Sequence, residues 1–228
     1  MNVLLILGIE TSGKTASAAV FEDSVMLCQN TLFTSRTHSQ VILPMVKDIL
    51  KESGKIINDI DLIAVSAGPG SYTGIRIGIA AVKAMAFSLG IPCCAVSSLE
   101  GLAYTSAAEG YICPVMKARQ ELVYTALFYC ENGVISRVKE DCIISVSELD
   151  ALLKKTEENV TICGDGAQQF TEQFNENGLY RLSPPHVRLQ SGAGICLAAM
   201  NKETQAPEDI QASYLQLVKA EKDLLGTK

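Results

Sequence analysis

The stretch from Ala64 to Ile79 carries the strongest chemical signal in the chain: an apolar run, then Gly68-Pro69-Gly70-Ser71, then apolar residues at helical spacing. Gly68 and Gly70 can take positive φ, and Ser71 or Thr73 can accept from the open N–H groups of a first helical turn. A helix start built this way attracts anions, so phosphate binding is the chemistry it first suggests. The spacing is unlike the familiar loops. Gly68, Gly70 and Gly74 form G-x-G-x-x-x-G, longer than the dinucleotide fingerprint, and no Gly-Lys-Ser/Thr follows as in a Walker loop. A tight turn that lets a small-residue helix pack closely on a strand explains the stretch equally well.

Glu10-Thr11-Ser12 closes the first apolar run, where a carboxylate and two hydroxyls could face a phosphate or a metal-bound water. Gly164-Asp165-Gly166 is the matching turn of the second half and could meet it across a cleft. Ordinary turn chemistry accounts for both nearly as well. The only histidines are His38 and His186, and Ile42 stands four residues after His38, so no helix face offers two histidines to zinc or iron. That argues against a metallopeptidase, a reading that metal analysis of the purified protein would settle. No G-x-S-x-G elbow signals a serine hydrolase. Arg76 and Arg119 each read either as pairing with a carboxylate or a partner's backbone or as a snorkelling surface arginine.

The elements that must position these residues follow from periodicity. Apolar runs predict strands at Val3 to Glu10, Ala16 to Phe21 and Val25 to Phe33, a three-stranded meander. Val41, Ile42, Met45, Val46, Ile49 and Leu50 fall on one helical stripe that contains Pro44 and closes at Gly54. A strand at Leu62 to Ala67, a helix from Gly74 to Leu89, a strand at Cys93 to Val96 and a helix opened by a Ser97-to-Glu100 capping box complete the first half. The second half repeats the order: strands at Tyr111 to Met116, Leu122 to Cys130 and Val134 to Ile144, a helix to about Lys155, a strand at Val160 to Cys163, and a helix from about Ala167 to Asn175. Duplicated α/β domains spanning residues 1–108 and 109–191 are expected, with a C-terminal helix at about 192–218 returning to the first domain and a tail at Lys219 to Lys228.

Composition sets the class. With 228 residues and 48% hydrophobic content, the chain can bury a substantial core. A net charge of −6 supplies no bulk basic field to hold nucleic acid, so an RNA role needs a partner. The apolar start lacks a cationic lead and is too short for a membrane span, and the eight cysteines form no C-x-x-C pair, so a cytoplasmic protein with reduced thiols is expected. Gly74, Gly78, Ala80, Ala81, Ala84 and Ala86 would permit close helix-on-helix contact. Because a helical glycine costs about 1 kcal/mol relative to alanine, Gly78 points to a packing requirement.

Ile9 to Ser12, His38-Ser39 with Leu43-Pro44, Ala67 to Gly78, Ala118-Arg119 before Val123-Tyr124, and Gly164 to Gly166, taken together and in order, resemble the TsaB (YeaZ) family over roughly residues 3–166. The resemblance implies an α/β fold of duplicated actin-like, Hsp70-like ATPase domains with mixed sheets. It also implies a non-catalytic cytoplasmic subunit of the bacterial machinery that makes N6-threonylcarbamoyladenosine in tRNA. The implied partners are a TsaD-type paralogue that performs the transfer and a TsaE-type ATPase, with a homodimer in their absence, tRNA reached only through the complex, and ATP used by the partner subunits. No bound cofactor, metal or membrane contact is implied for the chain itself. The implied interface comprises His38, Val41, Ile42, Met45, Val46, Ile49, Gly74, Arg76, Ile77, Gly78, Ala81 and Met85. Gly78→Arg or Ala81→Arg is then expected to abolish pairing while the monomer stays folded. Glu10, Thr11, Ser12, Gly164, Asp165 and Gly166 would line a vestigial ligand cleft. Glu10, Lys117 and Gln216 depart from the family pattern. The alternative function is a small-molecule phosphotransferase of the same fold, with Glu10 to Ser12 and Gly164 to Gly166 around a nucleotide.

Overall fold

A computed structural model describes residues 4–33 and 36–215. β1 (Leu5–Glu10), β2 (Thr15–Glu22), β3 (Val25–Phe33), β4 (Leu62–Gly68) and β5 (Cys93–Ser97) form one sheet in the order β3-β2-β1-β4-β5. β1 is antiparallel to β2 and parallel to β4, so the sheet is mixed. β6 (Gly110–Lys117), β7 (Leu122–Glu131), β8 (Val134–Ser145), β9 (Val160–Cys163) and β10 (Tyr180–Leu182) repeat the arrangement as β10-β9-β6-β7-β8. Position by position, β6 takes the place of β1 and β9 that of β4. The repeated order expected from periodicity is therefore present as a repeated topology.

β1 and β4 are buried along their whole lengths, as strands covered on both faces must be. Leu5, Leu7 and Ile9 face α1 (His38–Glu52) and α2 (Tyr72–Leu89), while Ile6 faces α6 (Gly192–Ala199) with Ile195 and Cys196. In the second sheet, α4 (Val146–Leu153) and α5 (Ala167–Phe174) cover one side through Leu149, Leu153 and Phe170. The other side is covered by α3 (Ser98–Ser106), whose Leu99, Leu102 and Ala103 join Ile112, Met116 and Phe128. So α3 builds the second domain's core although it precedes residue 109, and α6 returns to the first sheet.

α3 and α6 pack against each other between the two sheets, and small residues permit the approach. A Cβ on Gly194 would lie 2.0 Å from the Gly101 carbonyl oxygen. Polar ties cross the same seam: Thr105 Oγ1 to Ser191 Oγ at 2.9 Å and Lys202 Nζ to the Glu100 carboxylate at 2.9 Å.

Two expectations change. The C-terminal helix stops at Ala199, and residues beyond it run back along the first domain, with Gln205 bridged to Cys93 and Ile210 in the core. Residues 216–228, including Gln216 and the Lys219 to Lys228 tail, lie outside the described residues. At the start of α3, Ser97 Oγ accepts from Glu100 N, but the Glu100 carboxylate turns to Arg137 and Lys202 instead of closing a capping box. All eight cysteines are free thiols.

Candidate partner face and interdomain cleft

The glycines that open α2 fit a site inside the chain. Gly74 and Gly78 lie one turn apart on one face of α2, and Gly70 stands just before the Ser71 N-cap on the same side. The β1–β2 turn lies on that face. Ser71 N donates to Ser12 O at 2.7 Å, and Thr11 Oγ1 donates to Gly74 O at 2.8 Å. A Cβ at Gly70 would come within 2.4 Å of Ser12 O, at Gly74 within 2.1 Å of Thr11 O, and at Gly78 within 2.3 Å of Thr11 Oγ1. Ser71 caps the helix by accepting from Gly74 N at 3.2 Å. Thr11-Ser12 thus fills the groove that a bare glycine face provides, the close-packing reading of this stretch.

The expected interface residues separate accordingly. Val41, Ile42, Met45, Val46 and Ile49 are all 6% exposed or less and form the stripe that seats α1 on the first sheet. Gly74 and Gly78 are buried against Thr11. These residues are committed to internal packing, because an apolar stripe at helical spacing serves a core or an interface with the same pattern. Ile77, Ala81 and Met85 are half-buried, and Arg76 is exposed. His38 is half-buried at the start of α1, close to Gly74, and burial lowers its pKa against a hydrogen bond to the Thr11 backbone. What the two helices leave open is a groove of about 290 Å³ lined by Leu43, Ile57, Ala81, Ala84, Met85 and Leu89. Phe87, 79% exposed, stands beside it. The α2 face facing solvent, through Arg76, Ala80, Ala84 and Phe87, falls on one stripe.

The Thr11-Ser12 turn also forms one wall of a cavity of about 400 Å³ between the two domains. Ser12 and Asp165 line it, so the two expected turns do meet there, while Glu10, Thr11, Gly164 and Gly166 stand outside its lining. Asp165 Oδ1 accepts from Lys117 N at 2.9 Å, and Gly166 N donates to Val115 O at 3.0 Å, which fixes this second turn on the end of β6. Lys14, Lys117, Arg119, Tyr72, Tyr124 and Tyr214 also line the cavity. Tyr214 could not be read from periodicity, because it arrives from the C-terminal segment: Ser213 N donates to Ala67 O at 2.7 Å, and the Tyr214 ring packs 5.0 Å from Tyr72. Arg76 lies over Tyr72 at 4.1 Å and donates through Nε to Tyr214 Oη at 3.2 Å, contacts that join α2 to the C-terminal segment.

Glu10 is 1% exposed; its Oε1 accepts from Ser12 N, and its Oε2 has no hydrogen-bond partner among the described residues. Burial, opposed by the polar groups of Ser12, pushes its pKa up to about 7. The folded state therefore holds this proton more tightly than the unfolded chain does. The resulting stabilisation is complete below the unfolded value of 4.5 and is lost as pH rises through about 7. Unfolding free energy should fall by on the order of 3 kcal/mol from this group across that window, and Glu10→Gln should remove that part of the pH dependence. Denaturant titrations at pH 5 and pH 8 measure it; equal pH dependence in both proteins would show that Glu10 is not the group responsible.

Comparison with known proteins extends the resemblance to the whole chain. Residues 32–225 match the family model described as TsaD, tRNA N6-adenosine threonylcarbamoyltransferase. The tRNA threonylcarbamoyladenosine biosynthesis protein TsaB of Bacillus subtilis is 31% identical over 225 residues, 96% of each chain. The Escherichia coli protein of the same name is 29% identical, covering 97% of this chain and 98% of its own. The solved structure of YeaZ from Pseudomonas aeruginosa superposes with a TM-score of 0.76 at 25% identity, over 94% of this chain and all of that one. Together with the two mixed sheets, these likenesses place the fold among the duplicated actin-like ATPase domains.

Proposed function

This chain belongs to the TsaB family, and from that membership we propose that it is the non-catalytic partner subunit through which a TsaD-type paralogue forms N6-threonylcarbamoyladenosine in tRNA. The observation that carries the reading is the extent of the match. At 31% identity the alignment covers 96% of both chains, so it includes both domains and the C-terminal segment rather than a shared nucleotide-binding core. The residues supply the rest. Among the described residues no three His, Cys, Asp or Glu side chains converge as a metal site. Ile42, one turn after His38, is buried in the core, so α1 has a helical core stripe where a second histidine ligand would stand.

The docking surface in this reading is the exposed side of α1 and α2: the groove at Leu43, Ala81, Ala84, Met85 and Leu89, with Phe87 beside it. Small side chains along α2 let a partner helix approach closely, and a large exposed phenyl ring gives it an anchor. The occupant is the TsaD-type paralogue, with a second copy of this chain taking its place when the paralogue is absent. A TsaE-type ATPase joins the pair, ATP is consumed by the partner subunits, and tRNA is met only in the complex, in keeping with the net charge of −6.

Reconstitution tests this. The chain alone should neither modify tRNA nor hydrolyse ATP or transfer its phosphoryl group, and it should restore modification when mixed with its TsaD-type and TsaE-type partners. Phosphoryl transfer to a small molecule by the chain alone would replace this reading with the phosphotransferase one.

A further inference from the structure

Residues 204–214 follow α2 from its C-terminal end back to its first turn. Cys93 N donates to Gln205 O at 2.9 Å and Gln205 N to Cys93 O at 2.8 Å, which fixes the start of this strap on β5. Pro207 and Phe87 then line one groove, Lys83 Nζ donates to Glu208 O at 3.0 Å, and the buried Ile210 enters the core of the first domain. The strap ends on Tyr214, whose ring packs against Tyr72 and whose hydroxyl accepts from Arg76. Its contacts on the helix, Phe87, Lys83, Arg76 and Tyr72, are met in reverse order and share one stripe of α2. Gly68 makes room for it: at φ +113°, a Cβ there would lie 2.3 Å from Ser213 O. The first glycine of Gly68-Pro69-Gly70 is thus bare for the strap, while Gly70 is bare for the β1–β2 turn.

The strap borders the side of α2 that is left for a partner. Ile75, Ile79 and Val82 turn inward to the first-domain core, and the exposed Ala80 and Ala84 stand beside the stripe that the strap follows. The first turn of the helix is held on its inner side by the bond from Ser71 N to Ser12 O and on its outer side by Tyr214. We propose that residues 204–214 brace α2 in the position its partner face requires, with Tyr214 a positioning residue whose ring clasps the first turn. Helix ends fray when nothing holds them, and a frayed turn has to be ordered on association, which weakens binding. The effect on association rests on the reading that a TsaD-type paralogue docks on α1 and α2; the bracing belongs to the chain alone.

Hydrogen–deuterium exchange of the full-length chain, free of partner, and its affinity for the TsaD-type paralogue test the brace together, in the parent, Tyr214→Ala and Tyr214→Phe. Tyr214→Ala should speed exchange in residues 74–80 about tenfold and lower affinity about tenfold, with exchange in α5 of the second domain unchanged. Tyr214→Phe keeps the ring on Tyr72 and should stay within about twofold of the parent in both measurements. Exchange in α2 unaltered by Tyr214→Ala would overturn the brace, and a loss of affinity with that exchange unaltered would place Tyr214 in direct contact with the paralogue instead. Exchange quickened equally in α5 would show general destabilisation and overturn it as well. Faster exchange in α2 with affinity unaltered would overturn the role at the partner face. A parent that binds no paralogue would remove the docking reading, and with it the effect on association, while the exchange measurement still decides the bracing.

Discussion

Gly74→Val should destabilise the chain by about 3 kcal/mol or more, measured as a lowered denaturant midpoint, whether or not any partner is present. The first added carbon would already sit 2.1 Å from the Thr11 carbonyl oxygen, a backbone atom that cannot swing aside. Thr11 is itself held from two directions, its N–H donating to Ser66 Oγ at 3.2 Å and its Oγ1 to Gly74 O at 2.8 Å. Relief therefore requires moving the β1–β2 turn or lifting α2 off β4. Gly78→Arg belongs to the same class, because its Cβ would meet Thr11 Oγ1 at 2.3 Å. The expectation that Gly78→Arg leaves a folded monomer is thus replaced: loss of pairing in that variant would report unfolding. A midpoint for Gly74→Val equal to the parent's would mean that the turn and helix are not packed as described.

The second large effect is on association alone. Ala84→Arg should reduce affinity for the TsaD-type paralogue by about a hundredfold while shifting stability by less than about 0.5 kcal/mol. Ala84 is exposed on α2 and lines the groove, so a guanidinium there meets solvent in the free chain and an unpaired, desolvated charge in the complex. Phe87→Glu, at a position 79% exposed, attacks the same face by removing the anchor. Unaltered affinity in both variants would move the docking surface elsewhere on the molecule.

How much of this could be read from the residues depends on whether a pattern had one physical meaning or two. Helix α1 follows from apolar periodicity, because burial of one face leaves a period of its own, and strands β1 and β4 follow from unbroken apolar runs, because both their faces are covered. The duplication was legible in element order alone, since the two sheets share a topology. The stripe from Val41 to Leu50 was legible as a stripe, but an apolar row says only that something covers it. The sheet covers it here, and Leu43 on the opposite side is what remains for a partner. Gly70, Gly74 and Gly78 announced a close approach without saying to what, because Thr11 lies 63 residues from Gly74 along the chain. Likewise Glu10 read as a possible ligand, and only its burial shows it as a group that holds its proton near neutral pH. The placement of α3 on the second sheet and of Tyr214 at the cleft could not be read from periodicity, since both depend on where the chain has gone before.

The central claim, that this chain acts by pairing with a TsaD-type paralogue, is tested most directly by co-purification. Tagged chain expressed with that paralogue should recover it as a stable complex on size exclusion, with Ala84→Arg recovering none while eluting as a folded protein. Recovery of the chain alone, or equal recovery by Ala84→Arg and the parent, would contradict the account.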